Sequence, residues 1–78
     1  MTLDKAESGK TYEVESVDLP IGLHIRLEAL GMTKGTDIDV TETKEHGTVI
    51  MKLRGTRFAV GKGISSHISV KEVAVHEH

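Results

Sequence analysis

The 78-residue sequence contains no cysteine, which excludes disulfide stapling, thiolate catalysis and cysteine-ligated zinc or iron–sulfur centres together. Aromatic side chains are almost as scarce, with Tyr12 and Phe58 alone and no tryptophan. Single-strand nucleic-acid binders stack bases on several rings, and grooves for proline-rich ligands are lined with them, so both functions are disfavoured. A basic excess is also lacking. Ten Lys and Arg face twelve Asp and Glu, for a net charge of −2 with histidine neutral, whereas phosphate neutralisation supplies most nucleic-acid affinity. No apolar run exceeds the length of Val49 to Met51, which falls far short of the ~20 residues that a bilayer demands, so no membrane insertion is expected. Asp4, Glu7, Glu13 and Glu15 near the start fit neither a signal peptide nor a transit peptide, and a soluble cytoplasmic protein is the expectation.

Repeats, linkers and low-complexity tracts are missing, and Pro20 is the single proline. One domain over residues 1–75 is expected, with 76–78 a disordered tail. Ordering each residue costs about 1.5 kcal/mol, so a domain this small has little surplus stability for an elaborate buried active site.

What is present is a succession of short periodic segments. After an entry segment in which Leu3 plugs one end of the core, "KTYEVESV" alternates Tyr12 and Val14 with polar residues, as a strand with one wet face does. "DLPIGLHIRLEALGM" changes period. Leu23, Leu27 and Leu30 form one helical stripe, Pro20 suits the first turn, and so short a helix must dock that stripe on a sheet to persist. Four more strands are then signalled by "TDIDVTE", "TVIMKLR", "RFAVG" and "HISVKEV", with "KEHG" and Gly55–Thr56 as reversals between antiparallel neighbours. About five short antiparallel strands, with one short helix between the first and second, are expected to close into a small bent barrel.

The helix-to-strand corner is the most specified stretch. Leu30 ends the helix, Gly31 takes the left-handed position, Met32 folds back on Leu27 in a Schellman ending, and Gly35 fills the positive-φ position of a type II turn. "RLEALGMTKGTDIDV", followed by "MKLRGTRFAVGK" and "HISV", resembles the FeoA family of bacterial ferrous iron uptake over residues 3 to 72. Lys34 stands where the family's turn usually carries proline, which loosens the corner without removing a donor. The resemblance implies an SH3-like barrel and a non-enzymatic accessory protein without cofactor. It also implies a partner, the membrane GTPase FeoB, on whose cytoplasmic portion such proteins dock.

Candidate sites are few. His24, His46 and His67 lack metal-ligand spacing, and His76 and His78 around Glu77 offer only loose chelation, so no metal site is assigned and a metallochaperone ranks last. No catalytic constellation is present, and "GKGIS" at 61–65 reads as a flexible loop rather than a phosphate-cradling one. At about 100° per residue, Ile21 and Ile25 point away from the leucine stripe, and Ile50 is out of phase with Val49, Met51 and Leu53. Two readings stand for these isoleucines. They are scattered or locally covered apolar residues, or, with Leu19, a docking patch for a FeoB-like partner or a second copy of the chain. Lys52, Arg54 and Arg57, gathered by the Gly55 reversal, are either a solvated face or a surface for an acidic partner region. The alternative to iron uptake is a generic SH3-like adaptor or nucleic-acid module.

Overall fold

The computed structural model describes residues 1–73; the expected tail, with His76 and His78, lies outside them. A 3-10 turn at Leu3–Lys5 leads into β1 (Thr11–Val17), α1 (Ile21–Ala29), β2 (Asp37–Thr43), β3 (Val49–Leu53), β4 (Thr56–Val60), the single helical turn α2 (Lys62–Ser65) and β5 (Ile68–Glu72). A second 3-10 turn, Glu45–Gly47, joins β2 to β3. The strands form one antiparallel sheet in the order β4-β3-β2-β1-β5.

The two-residue period of the strands sorts side chains as expected. Tyr12, Val14, Ile38, Val40, Val49, Met51, Leu53, Val60, Ile68 and Val70 are buried on one face, with Leu3 and Ala6 across the end of the sheet. Curvature comes from two register shifts, one in β1 between Val14 and Ser16 and one in β2 between Val40 and Glu42. At the first, Glu15 and Ser16 are both exposed, and Val17 then returns to pack on the core. An extra residue of this kind bends its strand and increases its twist.

The expected closure into a barrel does not occur. The five-stranded sheet stays open between β4 and β5, which are its two outer strands. The N-terminal segment occupies the free side of β5, where Thr2 bridges Ser69, the Val70 N–H donates to the Met1 carbonyl at 2.7 Å, and the Met1 amino group donates to the Val70 carbonyl at 3.2 Å. Lys10 ties the same region to β5. It reaches Glu7 at 3.0 Å and Glu72 at 3.5 Å, and its pKa is raised by the hydrogen bond and charge of Glu7 and by the charge of Glu72. The chain passes from β4 to β5 through α2 rather than through a hairpin, so nothing brings those strands into register.

The leucine stripe of α1 also departs from expectation. Only Leu27 is buried, while Leu23 and Leu30 are exposed. The inner face of the sheet is filled by the strands' own side chains together with Leu3, Ala6 and Met32, so α1 contributes to this core through Leu27 alone. "GKGIS" is likewise ordered as α2. Its Ser65 is fully buried and its hydroxyl donates to the Gly47 carbonyl at 2.8 Å, pinning α2 to the β2–β3 connection.

Candidate docking surfaces

α1 begins at Ile21, directly after Pro20, and is anchored chiefly at its other end. There the Met32 N–H donates to the Leu27 carbonyl and the Gly31 N–H to the Glu28 carbonyl, each at 2.9 Å, the paired bonds of a Schellman ending, with Gly31 at φ +103°. The Thr36 N–H then donates to the Thr33 carbonyl at 3.0 Å across a turn in which Gly35 has φ +89°. Leu27 and Met32 are buried together and hold the C-terminal turn of the helix to the core.

The rest of α1 presents apolar side chains to solvent: Ile21 is 73 % exposed, Ile25 55 %, Leu30 49 % and Leu23 37 %. Their helical spacing places Ile21 and Ile25 on one ridge, while Leu23 and Leu30 flank Leu27 on another side. Leu19 does not join the Ile21–Ile25 ridge as an exposed residue. It is half-buried and packs against the core. Between α1 and the bulge of β1 runs an open groove of about 340 Å³ lined by Val14, Ser16, His24, Glu28, Met32 and Lys34 among others. His24 Nε2 and Glu28 Oε2 stand 3.6 Å apart at its rim. Among the described residues, no three His, Asp or Glu side chains gather to hold a metal ion.

Ile50, Lys52, Arg54 and Arg57 belong to a second surface, the outer face and turn of the β3–β4 hairpin. Ile50 is half-buried and paired with Ala59 and Glu42 in register. Lys52 and Arg57 are exposed and directly opposed across the two strands. Like charges so placed repel. The partner of Lys52 on β2 is Asp39, whose carboxylate instead accepts the Thr11 hydroxyl at 2.8 Å. Among the described residues no ion pair involves Lys52, Arg54 or Arg57.

Arg54 and Gly55 make the hairpin turn with φ +52° and +81°, the signs that a type I′ turn requires at both central positions. The Arg54 side chain lies over the helix corner, so that a Cβ on Gly31 would stand 3.0 Å from its Nε and 3.1 Å from its Cδ. A guanidinium there meets the carbonyl end of α1, where a cation is favoured. The structure thus brings Gly31 and Arg54 together, two residues that sequence spacing placed in separate motifs. It separates Ile50 from the helical isoleucines. Sequence reasoning missed Ser65 and α2, since a lone Ile64 amid glycine and serine carries no periodic signal. It also missed the unpaired side of β4, because a closed barrel has no such side.

The chain matches the model of the FeoA domain over residues 1–72. It is 28 % identical over 67 residues to a Methanocaldococcus jannaschii chain named as a candidate Fe(2+) transport protein A, covering 86 % of this chain and 80 % of the relative. A crystal structure of an iron uptake regulatory protein, FeoA, superposes with a TM-score of 0.84 at 27 % identity, covering 94 % of this chain and 97 % of that one. Stenotrophomonas maltophilia FeoA complexed with zinc, described as an SH3 domain protein, superposes with a TM-score of 0.77 at 28 % identity over 91 % of this chain and 89 % of its own. The sheet order, the helix inserted after β1 and the match across nearly every described residue agree on one conclusion: the chain belongs to the FeoA family.

Proposed function

We propose that this chain carries out the non-enzymatic accessory role of its family in ferrous iron uptake by docking on the cytoplasmic portion of a FeoB-like membrane GTPase through α1. The accessory role follows from family membership. The observation that supports the docking surface is the pair Ile21 and Ile25, the most exposed large apolar residues of the helix, on a ridge that contributes nothing to the core. Burying each isoleucine in a partner would release about 1.5–3 kcal/mol.

The Ile21→Ser, Ile25→Ser double variant is expected to melt within about 2 °C of the parent, because surface substitutions change stability little. Its affinity for the purified cytoplasmic domain of the host's transporter should fall at least about tenfold in calorimetric titration, since 1.4 kcal/mol corresponds to a factor of ten. Unchanged affinity would remove α1 as the docking surface. Absence of binding by the parent chain would remove the partner. An adaptor for proline-rich ligands is disfavoured, because Tyr12 is buried with its hydroxyl oxygen accepting the Glu7 N–H at 2.8 Å, and Phe58 is half-buried.

A further inference from the structure

The open sheet has one free edge among the described residues. The edge of β5 is taken by Met1 and Thr2, whereas no backbone group of Thr56–Val60 bonds to anything beyond β3. The hairpin fixes which groups face outward. In a two-residue turn the flanking residues, Leu53 and Thr56, form a hydrogen-bonded pair, and pairs alternate from there. Met51–Phe58 and Val49–Val60 are then bonded pairs, while Arg57 and Ala59 direct their N–H and C=O groups away from β3. The same two residues carry their side chains on the outer face of the sheet, where Arg57 lies opposite Lys52 and Ala59 opposite Ile50.

From this edge we infer that β4 accepts an extended, acidic segment of a partner protein, which adds to the sheet as a sixth strand. Backbone pairing with Arg57 and Ala59 would supply the attachment, as in strand addition generally. Charge selects the occupant. A carboxylate opposite Arg57 would face the Lys52–Arg57 pair, whose cations form no ion pair among the described residues, and a small or apolar residue two positions away would cover Ala59 and Ile50. A second copy of this chain is a poor occupant. Two β4 edges placed side by side would bring Lys52, Arg54 and Arg57 of both copies together, and a charged edge of this kind resists pairing with its own like.

This surface is distinct from α1, and its test separates the two. An acetylated, amidated Val-Ala-Val-Glu-Val peptide, which in antiparallel register sets Glu opposite Arg57 and Ala opposite Ala59, is titrated into the full chain at low salt, followed by amide shifts and hydrogen exchange. Binding should protect the Arg57 and Ala59 amides and weaken as salt is raised, and the matching Val-Ala-Val-Lys-Val peptide should not bind. Ala59→Pro removes an N–H that has no bond to β3, so the fold tolerates it at an edge while the added strand loses a donor. Affinity should fall at least about tenfold in this variant and, independently of any effect of proline on folding, in Arg57→Glu. Ile21→Ser, Ile25→Ser should bind as the parent does. The inference is overturned if the parent does not bind the acidic peptide, if protection appears elsewhere, or if the folded Ala59→Pro variant binds undiminished. It is equally overturned if the Arg57 and Ala59 amides are already protected in the free chain, or if sedimentation shows β4-mediated dimers.

Discussion

Gly31 answers two constraints at one position. Its φ of +103° is a backbone conformation that disfavours a side chain, and Arg54 Nε would stand 3.0 Å from an added Cβ. Gly35, with φ +89°, meets only the first, since nothing lies within 4 Å of its own Cβ position. Gly35→Ala should therefore cost about 1–2 kcal/mol and Gly31→Ala more, read as melting temperatures about 4–8 °C lower per kcal/mol in a domain of this size. Arg54→Ala removes the steric part alone. A double-mutant cycle should show that Gly31→Ala costs at least about 0.5 kcal/mol less in the Arg54→Ala background, and strict additivity would mean that the guanidinium does not rest on the corner.

Among the elements, strands and helices differ in how firmly they are held. Each of β1, β2 and β3 has strand neighbours on both sides and buries alternate residues, whereas α1 commits only Leu27 to the core. Segments with few buried apolar contacts open locally at lower free energy than the core does. Amides of α1 between Leu23 and Leu30 should accordingly exchange at least about tenfold faster than those of Ile38, Val40 and Met51. Equal protection would show that the helix opens only with the whole domain. The same contrast explains what could be read from sequence. Strand faces were legible at Tyr12–Val14, Ile38–Val40 and Val49–Met51–Leu53, because a period of two leaves little ambiguity about which side is wet. The corner geometry was legible from its glycines. The inward face of α1 was not, since Leu23 and Leu30 match a helical stripe equally well whether or not the sheet has room for them. Of the candidate surface residues, Ile21 and Ile25 are exposed as their helical phase indicated, whereas Leu19 packs against the core, and the division of the set between α1 and the hairpin depended on tertiary placement.

At the scale of the molecule, the N-terminal segment both plugs the core and caps the edge of β5. Leu3 is fully buried with Ala6 close to it, so Leu3→Ala removes a large buried side chain from one end of the single core. Such truncations cost about 2–5 kcal/mol, and marginal domains have only about 5–15 kcal/mol in total. Chemical denaturation should show a loss in that range with a lowered midpoint and an unchanged slope. A loss below about 1 kcal/mol would mean that the entry segment is not part of the cooperative unit. Closure failed as an expectation for the same reason. Strand count and turn lengths are compatible with a barrel or an open sheet, and in this chain the outer side of β5 is met by Met1 and Thr2, nearly seventy residues away in sequence, rather than by β4.

The register shifts in β1 and β2 carry one more consequence. Removing a single residue from an ordinary strand turns every later side chain inside out. Removing Glu15 would do the opposite, leaving Tyr12, Val14 and Val17 in strict alternation toward the interior, and removing Thr41 would likewise keep Ile38 and Val40 inward with Glu42 outward. Bend and patterning are thus independently adjustable in this chain: relatives one residue shorter at either spot could flatten without exchanging their wet and dry sides.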